Sequence, residues 1–213
     1  MAAEHPFLPE HFERDDESAD EMFYAAPRLV VHIDDAAIAA LRQFFRETLP
    51  PGGDILDLMS SWRSHLPEDV TYGRVVGLGM NEMELAENQQ LSERVVQNIN
   101  TDPQLPFGDA QFDAALVTVS VQYLVRPVEV FAEVARVLRP QGQVVVSFSD
   151  RMFPTKAVRI WRYTQNEDHA RLIAAYLRYA GGFDGARAED RSPQAPGFRD
   201  PLYIVTARRA AGP

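Results

Sequence analysis

Short apolar runs alternate with amphipathic segments through the middle of the chain. Five runs have the length and the flanking turn residues of buried strands. They cover residues 55–58, 74–79, 94–98, 112–118 and 143–148. In the first run Asp57 is an acid within an apolar strand, and charged side chains are rarely buried without a partner. Because ligands bind beyond the carboxyl ends of strands in open α/β sheets, Asp57 either belongs to a ligand site or caps the following turn.

The segments around these strands carry helical patterns. Asp34 or Asp35 is expected to cap the first helix, and Asn81 a short second one. Pro127 opens the clearest helix, which is expected to end at Pro140. Later in the chain, a helix is expected over residues 157–161, and Asn166 is expected to cap another helix that ends at Gly181-Gly182. Strands are expected over residues 186–190 and 202–208. This alternation predicts a single doubly wound α/β domain, with a mostly parallel sheet and helices on both faces.

The first 33 residues differ from the rest of the chain. They are polar and acidic, yet they carry an aromatic and ionisable cluster that includes Tyr24, Arg28 and His32. A disordered tail would contain fewer aromatic residues. Residues 1–33 are therefore expected to form an ordered arm packed on a domain of residues 34–213.

Charge and composition narrow the choice of partner. The net charge of -10 argues against binding to nucleic acid or to an anionic membrane surface. The chain has no cysteine, no apolar run long enough to span a bilayer and no leader pattern, so a cytoplasmic location is expected. Its histidines and acids lack metal-ligand spacing, and no metal is expected. A small molecule is the expected partner of a monomer or homodimer.

The order of several motifs resembles a known family. The motifs are Ile55-Leu-Asp-Leu58, Val75-Val-Gly-Leu78, Leu105-Pro-Phe107, Phe112-Asp-Ala-Ala115, and Val134-Ala-Arg-Val-Leu-Arg-Pro140 followed by Gly142. Over residues 53–151 this order resembles the class I S-adenosylmethionine-dependent methyltransferases with a methyltransferase 11-like core. The resemblance implies a Rossmann-like, seven-stranded sheet with an antiparallel last strand. It also implies methyl transfer from S-adenosylmethionine to a small-molecule acceptor, with S-adenosylhomocysteine as product.

The resemblance also implies where the site lies. The implied cofactor-binding residues are Asp57, Met59, Ser60, Ser61, Gly79, Met80, Asn81, Asn98, Ile99 and Val119. The implied acceptor-binding residues are Tyr24, Arg28, Trp62, Gln122 and Tyr123. His32 is expected to accept a proton from the acceptor, and Tyr24 to orient it, with the arm acting as a lid over the site. The alternative is that Phe23 and Leu29 only pin the arm to the surface and that His32 is solvated.

The chain departs from the family in its cofactor contacts. The family places a glycine-rich loop after the first strand, and Met59, Ser61 and Arg63 stand at those glycine positions here. The acids that the family uses for the ribose and for the adenine correspond to Gly79 and Asn98. Two interpretations stay open: polar substitutes keep the cofactor bound, or the chain is a catalytically silent ligand-binding or interaction protein on the same scaffold.

Overall fold

The computed structural model describes residues 5–194 and 197–211. Its strands are β1 (Ile55–Leu58), β2 (Val75–Gly79), β3 (Glu93–Val96), β4 (Phe112–Thr118), β5 (Leu138–Phe148), β6 (Arg187–Asp190) and β7 (Tyr203–Arg208). They form one sheet in the order β3-β2-β1-β4-β5-β7-β6. β7 runs antiparallel to both of its neighbours, β5 and β6, whereas the pairs formed among β1 to β5 are parallel. The predicted fold, a doubly wound sheet with an antiparallel last strand, is confirmed.

Helices cover both faces of the sheet. They are α1 (Asp20–Phe23), α2 (Asp35–Thr48), α3 (Glu82–Glu87), α4 (Pro127–Val137), α5 (Arg159–Arg162) and α6 (Asn166–Ala180). On one face, Phe45 of α2 belongs to the same buried cluster as Ile55 of β1. On the other face, the next residue of β1, Leu56, belongs to the same buried cluster as the apolar residues of α4 and α6. The side chains of the central strand thus alternate between two apolar layers, which leaves its carboxyl end as the place for polar chemistry.

The predicted helix starts agree with the structure at α2 and α3. The Asp34 carboxylate accepts a hydrogen bond of 2.9 Å from the backbone N–H of Ala37. The Asn81 side-chain oxygen accepts one of 3.1 Å from the N–H of Glu84. These caps fix the entry of both helices at the edge of the sheet where the parallel strands end.

The end of α4 differs from the prediction. The helix begins at Pro127 as expected but stops at Val137, because Leu138 already pairs with Phe112 of β4. Pro140 therefore lies within the long strand β5, at a register shift, and does not terminate the helix. α6 also differs slightly from the prediction: Gln165 is its N-cap and Asn166 its first residue.

The arm, as far as it is described, packs against the domain at several places. Phe7 contacts Tyr176 of α6, with 5.0 Å between ring centroids. The wholly buried Lys156 donates to the carbonyl of Ser18 at 2.6 Å and lies 3.4 Å from the Asp20 carboxylate. A buried ammonium needs such oxygen partners, so this contact holds α1 of the arm against the sheet. The role of residues 1–33 as a lid remains a prediction.

No helix in the described part of the chain combines the length and the apolar character that a membrane crossing requires.

Candidate functional site

A cavity of about 550 Å³ opens at the carboxyl ends of β1, β2 and β4. This volume lies within the roughly 300–1,000 Å³ that small-molecule and cofactor sites occupy. The arm, the loop after β1, the start of α3, the segment after β3 and the segment after β5 all contribute to its walls. The arrangement follows from the parallel strands, whose carboxyl ends meet at one edge of the sheet.

Nine of the ten residues expected to bind a cofactor line this cavity. They are Met59, Ser60, Ser61, Gly79, Met80, Asn81, Asn98, Ile99 and Val119. They come from four separate segments of the chain, which the sheet topology brings together. The tenth residue, Asp57, does not line it.

Asp57 lies beneath the loop that follows β1. Its carboxylate accepts hydrogen bonds from the hydroxyls of Ser60 at 2.6 Å and Ser64 at 2.7 Å. Burial raises the pKa of Asp57 to about 6, while the two serine hydrogen bonds oppose that shift. In this structure the acid of β1 holds the loop in place, the simpler of the two roles expected for it.

The loop after β1 reaches its shape without glycine. Met59 has a φ of 57°, in the left-handed region that non-glycine residues seldom adopt. The loop then passes so close to β2 that a Cβ atom on residue 79 would overlap the carbonyl oxygen of Ser60. Ser60 also donates its backbone N–H to the Leu78 carbonyl at 2.8 Å. Residue 79 therefore cannot carry the family's acid while the loop keeps this path.

Val119, at the end of β4, is also in the left-handed region, with a φ of 48°. For a β-branched residue this conformation is an outlier, and such strain costs about 1–3 kcal/mol. Its N–H donates to the Ser147 carbonyl of β5 at 2.9 Å, which fixes the strained turn. Strained residues occur often at ligand sites, and both Met59 and Val119 line the cavity.

Asn81 and Asn98, both expected to bind the cofactor, form hydrogen bonds to the arm. The Asn81 amide donates to the carbonyl of Tyr24 at 2.8 Å. The Asn98 amide donates to the carboxylate of Glu21 at 2.7 Å, and this hydrogen bond lowers the pKa of Glu21. A ligand that uses these amides must share them with the arm or displace it.

Three acids that the sequence analysis did not single out, Asp20, Glu84 and Asp200, line the cavity. The Glu84 carboxylate accepts from the Ser61 hydroxyl at 2.5 Å and from the backbone N–H of Arg28 at 2.7 Å. The spacing from Asn81 to Glu84 is that of a capping box, which would direct Glu84 back to its own helix. The structure shows that this carboxylate joins the β1 loop to the arm instead.

Four of the residues expected near an acceptor share the cavity: Tyr24, Arg28, His32 and Tyr123. Trp62 lies outside it and donates its indole N–H to the Val30 carbonyl at 2.9 Å.

Gln122 is also outside the cavity. It is buried, and its amide donates to the carbonyls of Val119 at 3.2 Å and Arg151 at 3.3 Å. It thereby supports the strained turn at the end of β4.

Partial desolvation by neighbouring side chains shifts the pKa values of the two residues expected to act on a proton. It lowers the pKa of His32 below its usual 6.5, a shift that Glu84 opposes and Arg28 reinforces. Burial raises the pKa of Tyr24 well above its ordinary value. At neutral pH His32 is therefore a neutral base, whereas Tyr24 keeps its proton and is suited to donate a hydrogen bond.

Phe153, which follows β5, organises this side of the cavity. Its ring centroid lies 5.4 Å from that of Phe23 and 5.3 Å from that of His32. Its backbone N–H donates to the hydroxyl of Tyr123 at 2.8 Å. Nothing in the sequence marked this lone aromatic residue, because its neighbours come from distant parts of the chain.

Within residues 5–194 and 197–211, no three histidine, aspartate or glutamate side chains come together in an arrangement that would hold a metal ion.

Comparisons with known proteins agree with this geometry. A family model described as a methyltransferase domain matches residues 61–146. No curated protein sequence matches the chain.

Among solved structures, an S-adenosylmethionine-dependent methyltransferase from Mesorhizobium loti is 18% identical, with a TM-score of 0.56 over 80% of this chain and 98% of that one. A possible histamine N-methyltransferase from Thermotoga maritima is 17% identical, with a TM-score of 0.56 over 82% and 90%. The [4+2]-cyclase SpnF is 18% identical, with a TM-score of 0.63 over 90% and 92%. At these identities the structures show a shared fold.

A methyltransferase-domain model thus matches the middle of the chain, and the fold is shared with solved S-adenosylmethionine-dependent methyltransferases. S-adenosylmethionine is the cofactor on which the Mesorhizobium loti methyltransferase of the same fold depends. The glycine-poor loop after β1 is this chain's departure from the family pattern.

Proposed function

We propose that the protein transfers a methyl group from S-adenosylmethionine to a small-molecule acceptor. One observation carries the proposal: nine residues expected at a cofactor site, and four expected near an acceptor, line one cavity of about 550 Å³. The methyltransferase-domain match supports the same activity.

The residues present suit such a cofactor. Ser60 and Ser61 offer hydroxyl and backbone groups at the end of β1, next to the Glu84 carboxylate. Met80 and Ile99 supply apolar surface at the ends of β2 and β3, where a flat base can be held. When bound, the cofactor supplies an electrophilic methyl group on a cationic sulfur, which becomes a neutral thioether after transfer.

For an oxygen or nitrogen acceptor, His32 would take the proton that the acceptor loses. Its lowered pKa keeps it neutral at pH 7, and it lies on the arm beside Phe153. Tyr24 would donate a hydrogen bond that orients the acceptor. The arm would exclude water while the reacting atoms are aligned, as a lid does.

A second candidate is a ligand-binding protein without methyl transfer. The observation in its favour is that Asn81 and Asn98 already bind the arm. The likeness to a [4+2]-cyclase also fits a scaffold that carries other activities.

Titration calorimetry with S-adenosylhomocysteine tests the proposal, with adenosine diphosphate as the control ligand. We expect one saturable site for S-adenosylhomocysteine. At a hundred times its Kd, the ligand should raise the free energy of unfolding by about 2.7 kcal/mol. Folded protein that shows neither heat nor thermal stabilisation at millimolar ligand would favour the second candidate.

A further inference from the structure

Arg28 is the cation in the cavity whose charge the protein leaves uncompensated. Its guanidinium carbon lies 4.5 Å from the ring centroid of Phe23 and 5.5 Å from that of Phe153. Its Nη2 donates to the Phe23 carbonyl at 2.8 Å. Its Nη1 is buried and has no hydrogen-bond partner among the residues that the structure describes.

The acids near Arg28 are committed to other groups. The Glu84 carboxylate accepts from Ser61 and from the backbone N–H of Arg28, not from its guanidinium. Asp20 pairs with Arg14 at 2.6 Å. No carboxylate of the described chain lies within ion-pair distance of the Arg28 side chain, although acids surround the cavity.

The other cation that lines the cavity, Arg151, is not free in this way. Its Nε donates to the Asp200 carboxylate at 2.7 Å. Arg28 is therefore singled out by its contacts and not by its residue type.

Arg28 is half-buried, and its enclosed Nη1 donor lacks an acceptor, which is costly. A ligand anion would supply that acceptor and a counter-charge. The planar fork of N–H donors matches a carboxylate, which can accept two hydrogen bonds side by side. The aromatic rings beside Arg28 hold it in place and add a flat apolar surface. Since the chain carries a net charge of -10, attraction for anions must be local to this group.

We propose that Arg28 binds a carboxylate, and that this carboxylate belongs to a planar organic acid that serves as the acceptor. Only the assignment of the acid as the methyl acceptor rests on the proposed function. The anion site itself is inferred from the contacts of Arg28. His32 and Phe153 lie on the same side of the cavity, so the acid's apolar part would contact these rings. The amino-acid end of the cofactor carries a carboxylate too, and the experiment separates the two sources.

The probes are benzoate and its neutral analogue benzamide. Each is titrated into the protein saturated with S-adenosylhomocysteine, and binding is followed by calorimetry or ligand-observed NMR. We expect benzoate to bind at least about tenfold more tightly than benzamide. Arg28→Gln should weaken the binding of benzoate by about tenfold to a hundredfold and leave the affinity for benzamide unchanged.

Arg63→Gln is the matched control. Arg63 is exposed, and its guanidinium carbon lies 4.2 Å from the ring centroid of Trp62. It does not line the 550 Å³ cavity, so this variant removes the same charge from a place outside that cavity. It should change benzoate affinity by less than about twofold, since water and salt screen the charge of an exposed side chain. Equal binding of benzoate and benzamide, no benzoate binding, or an Arg28→Gln variant that binds benzoate as well as the unmodified protein would overturn the proposal.

A second titration compares the binding of S-adenosylhomocysteine with that of 5′-methylthioadenosine, which lacks the carboxylate. We expect Arg28→Gln to bind both as the unmodified protein does. If it loses affinity for the first alone, Arg28 binds the cofactor and the acceptor assignment is wrong. If S-adenosylhomocysteine does not bind even the unmodified protein, the proposed function fails. Benzoate binding that depends on Arg28 would then still establish the anion site, and its absence would refute it.

Discussion

The carbonyl oxygen of Ser60 occupies the space that a side chain on residue 79 would need. The loop after β1 and the end of β2 are thereby coupled: a loop that runs this close requires glycine at residue 79. The loop has no glycine of its own, and Met59 adopts a positive φ to enter it. The absence of an acid at residue 79 thus has a steric cause.

Gly79→Ala should displace the loop and weaken the binding of S-adenosylhomocysteine. Overpacking of this kind costs about 1–3 kcal/mol, and we expect at least about a tenfold rise in Kd because the displaced loop lines the cavity. Calorimetry and chemical denaturation measure the two effects. Gly77→Ala is the control on the same strand, because its Cβ would meet the side chain of Leu91 and not the loop. Similar cofactor affinities for both variants would refute this coupling.

Asp57 should give the protein a pH-dependent stability that Asp57→Asn removes. Burial raises its pKa from 3.8 to about 6 in the folded state, so the folded state holds the proton more strongly. The contribution is favourable below pH 4, and it is lost as the pH rises to about 6. Between pH 4 and pH 7, the free energy of unfolding of Asp57→Asn should therefore rise by about 2–3 kcal/mol relative to that of the unmodified protein. A difference between the two proteins that stays constant with pH, measured by urea denaturation, would contradict the burial of an ionisable Asp57.

His32 should titrate below pH 6.5, and Glu84→Gln should lower its pKa further. Burial is the main cause of the low value, while the negative charge of Glu84 favours the protonated ring. NMR titration of the imidazole measures the pKa directly. Glu82→Gln, on the exposed side of the same helix, should leave it unchanged. A His32 pKa above 6.5 would remove the basis for a neutral base at this position.

Asp20→Asn should loosen the arm without unfolding the sheet. The buried carboxylate accepts from Arg14 at 2.6 Å and from Asn100 at 2.9 Å, and lies 3.4 Å from Lys156. Breaking such a buried network costs about 3–5 kcal/mol, so amide hydrogen exchange over residues 13–25 should accelerate strongly.

The control for the arm is Asp15→Asn. Asp15 is exposed and pairs with Arg162 at the surface. We therefore expect Asp15→Asn to lower the stability of the arm's docked state by at most about 1 kcal/mol. Equal exchange rates in the two variants would show that the Asp20 network does not hold the arm.

The sequence predicted the fold well because its elements are set by local patterns. Strand β1 with its acid, the caps at Asp34 and Asn81 and the start of α4 at Pro127 were all visible from hydrophobic period and capping chemistry. The end of α4 was not, because the pairing of Leu138 with Phe112 depends on a neighbouring strand.

The location of the site could be predicted, but its contacts could not. Parallel strands bring their ends together, so residues such as Met80 and Ile99 fall into one cavity whatever the details of packing. The contacts of Glu84 and Phe153 join segments more than 20 residues apart, and no local pattern records them. For the same reason the sequence could not show that Asn81 and Asn98 bind the arm.

The arm's contacts also change the expectation for its removal. From the sequence, a protein without residues 1–33 should bind the cofactor and lose only the acceptor. In the structure the arm bonds to Asn81, Asn98 and Glu84 at the cofactor side of the cavity. We now expect truncation to alter cofactor affinity as well, so single substitutions on the arm are the sharper test.

The most direct measurement is an NMR map of S-adenosylhomocysteine on the isotope-labelled protein. If the cavity is the cofactor site, backbone amide shifts should concentrate at residues 59–61, 79–81 and 98–99, which line it from three strands. Amides of α6, which packs against the sheet away from the strand ends, should not move. Binding that shifts other residues and leaves these three segments unchanged, or no binding at all by folded protein, would contradict the assignment of the cavity.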